Sequence, residues 1–465
     1  MSSERPGPLG WLRRLVRTPE LSLAPTALIP VVDDAFVVRV LDLAIRIGET
    51  MLAVGAPASE VTSAIIRVGH AYGVTPVHVD VTYNSITVAH HRSGADSPVS
   101  LLRVLEGSAP DHEKLQRLQT LVGDIADGLN PDAALTRARA IRRIPFRYRP
   151  AAVIVAQAML AVGVAVMYGA NPLMIALSFV AAALAASTQH VLARARVPFF
   201  FSQIAGGFVL TVAAGLALLL RESAIPGAED IRASVIVASG IVLMLAGLTV
   251  VGAAQDAIDG FALTAGGRIL ELVTQTLGVV IGILAGLETM RVVGLGIAAP
   301  TSALPFGSVP LQFVGAVVIA IAVAVYNGGG IRIVGVSAAL SLVAWTGFLA
   351  ASAAGFDTAA ASGVGAFFGS FAGVLIAYRL HVPSVAITTA AILPMVPGAA
   401  VFRGLLGVVE TGEDAAVLLT GASTLAGAAT VGIALAIGAT LGLYVGRPVR
   451  TTIGTVARAR ARLRR

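Results

Sequence analysis

Between positions 252 and 271 the sequence "GAAQDAIDGFALTAGGRILE" sets Asp256, Asp259, Thr264, Arg268 and Glu271 beside long apolar runs. These side chains suit the recognition of a small zwitterion: a carboxylate meets an ammonium group, and a guanidinium or a helix N-terminus meets a carboxylate. Asp256 or Asp259 is the candidate for ammonium recognition or proton coupling, and Arg268 or Arg403 for the carboxylate. Either aspartate or Glu271 can carry a proton if its burial changes during a working cycle, because burial disfavours the charged form. Ionisable groups beside a membrane span are costly, which favours a place in a substrate or proton path. The competing reading is a solvated loop whose charges fix orientation. A second stretch, "LPMVPGAAVFRG" at 393 to 404, resembles "VVGAA" at 250 to 254 and places Pro397 and Gly398 opposite Val251 and Gly252. Proline removes a backbone donor and glycine tolerates irregular dihedrals, so both stretches are expected to interrupt helices. Groups freed by unwinding persist at membrane depth only where protein buries them or water reaches them.

Other polar groups point to less. Gln157, Gln189, His190, Gln203 and Gln275 stand near span depth, where glutamine more often ties helices together than touches a ligand. "YNGGGIR" at 326 to 332 lacks the lysine and hydroxyl of a phosphate loop and reads as a tight turn. His70, His78, Asp80, His90 and His91 fit no established metal spacing, so neither a metal nor a cofactor is expected. The chain has no cysteine, which excludes disulfides, thiolate metal sites and cysteine nucleophiles.

The elements that must position these residues belong to a membrane protein. Of 465 residues, 56% are hydrophobic and only 13% charged, more apolar surface than a soluble core demands. About 20 apolar residues span the hydrocarbon as a helix. Ten such spans are expected, near 150–168, 172–193, 199–220, 232–252, 268–288, 309–326, 331–352, 357–378, 383–401 and 415–446. The last window is too long for one simple helix, and part of it is expected in a loop or at the interface. Ahead of them, residues 35–148 read as a soluble α+β domain. Val37, Val40, Leu41, Ala44, Ile47 and Met51 recur at helical spacing, and Val61, Ala64, Ile65 and Val68 form a second stripe. "VTPVHVDVTYNSITVAHH" changes to period two and predicts a hairpin turning near Asn84. A third strand near 99–105 and helices near 111–127 and 131–143 complete the region.

The expected organisation is thus a flexible N-terminal segment (1–34), the α+β domain (35–148), two membrane halves (149–295 and 305–446) and a basic cytoplasmic tail (447–465). The opening residues lack an apolar region followed by a small-residue cleavage site, so no secretory signal is expected. Arg137, Arg139, Arg142, Arg143, Arg147 and Arg149 precede the first span, and Arg194, Arg196, Arg379 and the tail fall on the same side when ten spans are threaded. That side is expected to be cytoplasmic, with both termini, in the plasma (inner) membrane. Arg403 is the exception. The net charge of +7 is placed for anionic lipid, each arginine near the surface contributing about 1 kcal/mol, rather than for nucleic acid.

The two halves carry the same glycine ladder in corresponding spans, Gly278, Gly282 and Gly286 against Gly438, Gly442 and Gly446. Five spans per half is an odd number, so the second half enters from the opposite membrane face. Inverted repeats with interrupted helices in corresponding places are the pattern of secondary transporters.

"LTVVGAAQDAIDGFALTAGGRILE", "LPMVPGAAVFRGLLG" and "GETMLAVGAPASEVTSAIIRVGHAYG" together resemble the threonine/serine exporter family, with similarity from about 36 to 446. The resemblance implies a cytoplasmic N-terminal domain, ten spans, and export of L-threonine and L-serine driven by the proton motive force. Some relatives split the two parts into subunits and are linked to dicarboxylate export. The leading expectation is therefore a proton-coupled exporter of small hydroxy amino acids working by alternating access, with a homo-oligomer compatible with the sequence. Alternatives are a dicarboxylate exporter, a channel, and a membrane-anchored hydrolase acting through residues 1–148.

Overall fold

The computed structural model describes residues 34–91, 98–105, 107, 109–244, 247–295, 305–380, 382–409 and 415–463. The chain forms two compact units, Met1–Arg39 and Val40–Arg465. Of the first, the described part is the opening of helix α1 (Asp34–Ala53); the N-terminal segment 1–34 expected from the sequence otherwise lies outside the described residues.

In the second unit, Val40, Leu41, Ala44, Ile47 and Met51 of α1 are buried, as is the stripe Val61, Ala64, Ile65 and Val68 of α2 (Ala58–Ala71). Strands β1 (Val77–Thr82), β2 (Ser85–His90) and β3 (Val99–Val104) form an antiparallel sheet in that order, with Val79 opposite Val88 and Val88 opposite Leu101. Alternation sends Val81, Ile86 and Val88 inward, the period-two pattern expressed as burial. Helices α3 (His112–Ala126) and α4 (Pro131–Arg143) follow, and each has a side-chain cap. Asp111 accepts from the Lys114 amide at 3.0 Å and Asn130 from the Asp132 amide at 2.9 Å, satisfying orphan first-turn donors.

The apolar remainder is helical: α5 (Pro150–Met167), α6 (Pro172–Arg194), α7 (Phe199–Leu216, continued as a 3-10 turn to Leu220), α8 (Ala233–Met244), α9 (Gly247–Ile258), α10 (Ala262–Val292), α11 (Val309–Tyr326), α12 (Ile331–Ala353), α13 (Thr358–Leu380), α14 (Ser384–Ile392), a 3-10 turn Leu393–Met395, α15 (Gly398–Val409) and α16 (Ala415–Leu463). Among the described residues, eight helices are long and apolar enough to cross a membrane, and two shorter apolar segments, Ala233–Val242 and Ala386–Met395, accompany them. The protein is a polytopic, mainly helical membrane protein.

Two expectations change. Val250–Ala254 is continuous helix within α9, because Val251 keeps the amide that Pro397 lacks and a lone glycine does not break a helix. The fourth expected span, 232–252, is covered by α8 as far as Met244 and by α9 from Gly247. The last window has no loop: α16 is one helix of 49 residues, of which Ala415–Gly446 is the apolar part. Its alanines and glycines favour or tolerate helix, and its length exceeds the hydrocarbon thickness at about 1.5 Å per residue.

Both glycine ladders are close contacts. A Cβ at Gly278 would lie 2.9 Å from the Phe200 carbonyl oxygen, and one at Gly286 would lie 2.7 Å from the Thr211 Cβ. At Gly442 it would lie 2.5 Å from the Phe367 carbonyl oxygen, and Gly282 and Gly438 leave less room still, against Ile204 and Gly363. Helix α10 thus rides on α7, and α16 on α13, through backbones that only missing side chains allow so near. Helix α9 packs on α16, and α15 packs on α8 and α10, so each of these two short helices leans on the other half of the chain.

Candidate functional site

The predicted residues gather in two places. In the first, Asp256 at the end of α9 is fully buried, and its Oδ2 lies 2.8 Å from Nη1 of Arg268 on α10. Its Oδ1 accepts from the backbone N–H of Ala58 at 3.3 Å. Ala58 opens α2 behind an extended Pro57 and has no side-chain cap of its own, so a carboxylate distant in sequence does the capping. The positive end of α2 and the guanidinium both favour the charged carboxylate that burial opposes. Gly252, one turn before Asp256, has no side chain where a Cβ would stand 2.9 Å from Arg268 Nη1, which leaves the guanidinium room to reach the aspartate.

The same surface continues along α10. Thr264 is buried and its hydroxyl donates to the Val81 carbonyl at 3.1 Å. Glu271 accepts from the Tyr83 hydroxyl at 2.9 Å and from the Gln275 amide at 2.9 Å. Burial, then the hydrogen bond to Glu271 and its charge, push the Tyr83 phenol up to about 12. Its ring lies over Gly267, where a Cβ would be 2.5 Å from Cγ. Asp259 is half-buried and takes no ion pair among the described residues. This cluster joins the sheet region to the α9–α10 hairpin.

A second contact joins the sheet region to the other half of the chain. The His112 amide donates to the Asn327 carbonyl at 2.8 Å, and the Tyr148 hydroxyl to the Gly329 carbonyl at 2.7 Å. Gly328, with φ of 74°, presents its bare Cα to Phe146, 2.8 Å from where a Cβ would stand. The "YNGGGIR" stretch is therefore the turn predicted for it, and also a docking point that the prediction missed. The His112 imidazole is buried, and burial pushes it down to about 4.

The second predicted group surrounds a broken helix. After the 3-10 turn Leu393–Met395, Val396 is extended (φ −70°, ψ 130°), Pro397 offers no N–H, and Gly398 starts α15. Leu393 and Met395 sit in one buried cluster with Trp345 and Phe348, against which Val396 packs. Val242, near the end of α8, packs against that same cluster. Arg403 lies on α15. Among the described residues no hydrogen bond or ion pair links Pro397, Gly398 or Arg403 to the Asp256 cluster. Gln189 acts as the expected helix tie, donating to Gln203 at 2.8 Å, whereas Gln275 donates to Glu271 within its own helix. Among the described residues no group of three or more His, Asp or Glu side chains is arranged to hold a metal ion.

A family model described as a putative threonine/serine exporter matches residues 42–290, and a second, threonine/serine exporter ThrE, matches 312–445. The chain belongs to the threonine/serine exporter family. As a member of that family it is a transporter and not an enzyme. The probable threonine/serine exporter of Mycobacterium tuberculosis (strain ATCC 25618 / H37Rv) is 31% identical over 437 residues, covering 91% of this chain and 80% of the relative. The threonine/serine exporter of Corynebacterium glutamicum is 30% identical over 441 residues, covering 92% and 86%. No solved structure matches. Within the family match, the first model takes in the sheet region with α5–α10, and the second takes in α11–α15 and most of the apolar part of α16.

Proposed function

We propose that this family member is a secondary active exporter of L-threonine and L-serine, coupled to protons, in which two oppositely oriented five-span halves alternate access to one site. The observation that carries the reading is the setting of the Pro397 break: Val396 beside it and Val242 of the first half pack on one buried cluster. Each half then contributes four long spans and one shorter apolar segment, ten in all. Matching helix lengths support the repeat: 18 residues in α5 and α11, and 23 in α6 and α12. A discontinuous helix at the interface of two repeats is where such transporters bind substrate.

On this reading the 35–148 region is a cytoplasmic domain, and the membrane is the plasma (inner) membrane with both termini inside. Pro397, Gly398 and Arg403 belong to the substrate site, Arg403 facing the carboxylate. Asp256 is the proton carrier: when it is protonated, it loses the charge that holds Arg268 and the Ala58 amide, so the docking of the domain responds to proton uptake. Gly252, Thr264, Arg268 and Glu271 shape that junction, and Asp259 adds negative charge beside it. The test is efflux from proteoliposomes loaded with labelled threonine, serine or succinate under an imposed pH gradient. Threonine and serine should leave faster with the gradient and slow when a protonophore collapses it. Movement of succinate alone, or amino-acid efflux indifferent to the gradient, overturns the proposal.

A further inference from the structure

Trp345 on α12 is 1% exposed, and its indole N–H donates to nothing among the described residues. Gln312 on α11 is 7% exposed; its amide N–H donates to the Gly307 carbonyl at 2.8 Å, while its Oε1 accepts from nothing. A buried donor or acceptor without a partner costs about 1–3 kcal/mol, so keeping one of each close to the same dipeptide calls for a reason. Both adjoin Phe306–Gly307: the Phe306 ring stands edge-on to Trp345 at 5.7 Å, and Gly307 holds the Gln312 amide. Phe306 is itself 48% exposed and stacks on Tyr168 at 5.8 Å. Trp345 shares its buried cluster with Leu393 and Met395 of the interrupted helix. The surroundings are thus apolar and aromatic, with one spare donor and one spare acceptor, next to the break at which the proposed carrier binds its substrate.

A hydroxyl group carries both complements, lone pairs that accept and a hydrogen that donates, and in threonine it sits beside a methyl group. We propose that Trp345 and Gln312 are specificity-determining residues that read the substrate's β-hydroxyl, the indole N–H donating to its oxygen and the hydroxyl donating to Gln312 Oε1. This rests on the exporter reading and adds to it how a hydroxy amino acid is told from one of the same size without the oxygen. A site with buried polar partners rejects the analogue that would leave them unpaired, whereas a purely apolar pocket discriminates poorly.

The test compares efflux of threonine with that of 2-aminobutyrate, which lacks only the hydroxyl, from proteoliposomes of the full chain, wild type, Trp345→Phe and Gln312→Leu. Each variant should lower the threonine to 2-aminobutyrate rate ratio about threefold to tenfold, the weight of one hydrogen bond. A loss that falls equally on both substrates in both variants would show packing alone and overturn the proposal. Trp345 also reports directly, since the sequence has one other tryptophan, Trp11. In Trp11→Phe, threonine should shift the emission saturably and 2-aminobutyrate should shift it less. Emission unmoved by threonine overturns the assignment even if the Trp345 variant fails to insert. Should wild type move neither amino acid, the exporter reading is what fails.

Discussion

Asp256 shows why a residue singled out from sequence needs its partners before it has a role. Its charge and its place beside a span were legible; the Ala58 amide that it caps lies 198 positions away and no local pattern announces it. Removing the charge with Asp256→Asn leaves Arg268 facing a neutral amide in a pocket where the guanidinium is 17% exposed. Breaking a buried pair on one side typically costs about 3–5 kcal/mol, more than removing both partners. The thermal midpoint in detergent should therefore fall in Asp256→Asn and partly recover in Asp256→Asn with Arg268→Gln; a double variant no better than the single would mean that the pair holds little. His112 makes a pH statement of opposite kind. The unfolded chain takes up a proton near 6.5 and the folded imidazole only near 4, so between these values the unfolded state binds more protons. Stability is flat above about 6.5 and declines as pH falls toward 4, by up to about 1.4 kcal/mol per pH unit. His112→Asn should flatten the thermal midpoint between pH 6.5 and 4.5, a comparison that needs only melting curves.

At the scale of elements, period and spacing carried far. The sheet, its hairpin at Tyr83–Asn84, the capped helices α3 and α4 and both glycine ladders stand where periodicity, turn residues and small-residue spacing put them. What failed was the inference from five similar letters at 250–254, since a helix breaks where a donor is missing or a turn is favoured, and the likeness omitted the proline. The ladders allow a sharper comparison. Gly282→Ala and Gly438→Ala place a methyl against the backbone of Ile204 and of Gly363, neither of which can yield as a side-chain tip would. Such overpacking costs about 1–3 kcal/mol. Gly427→Ala on α16 meets nothing within 4 Å and gains helix propensity. The two ladder variants should lower the thermal midpoint and slow efflux together, and Gly427→Ala should do neither; equal behaviour of all three would remove the close approach from the account.

For the whole molecule, the sheet region grips two turns that belong to different halves of the bundle, α9–α10 through Ala58, Val81 and Tyr83, and α11–α12 through His112, Phe146 and Tyr148. Neither grip was legible in the sequence, because each pairs a turn with a surface fixed only by the finished fold. If the halves rock against one another, a body fastened to both must let go of one, and the Asp256 side is the one whose hold depends on a charge. The absence of native cysteine permits a clean test. A Cβ at Gly267 would lie 2.8 Å from that of Tyr83, slightly inside the separation of about 3.5–4.5 Å that a disulfide prefers, so a small adjustment lets Tyr83→Cys with Gly267→Cys close. Oxidation should arrest threonine efflux in proteoliposomes and a reductant should restore it, while either single variant stays insensitive to both reagents. Undiminished efflux with the bridge formed would mean that this contact rides along with the first half, and the yielding grip would then have to be the one at Asn327–Gly329.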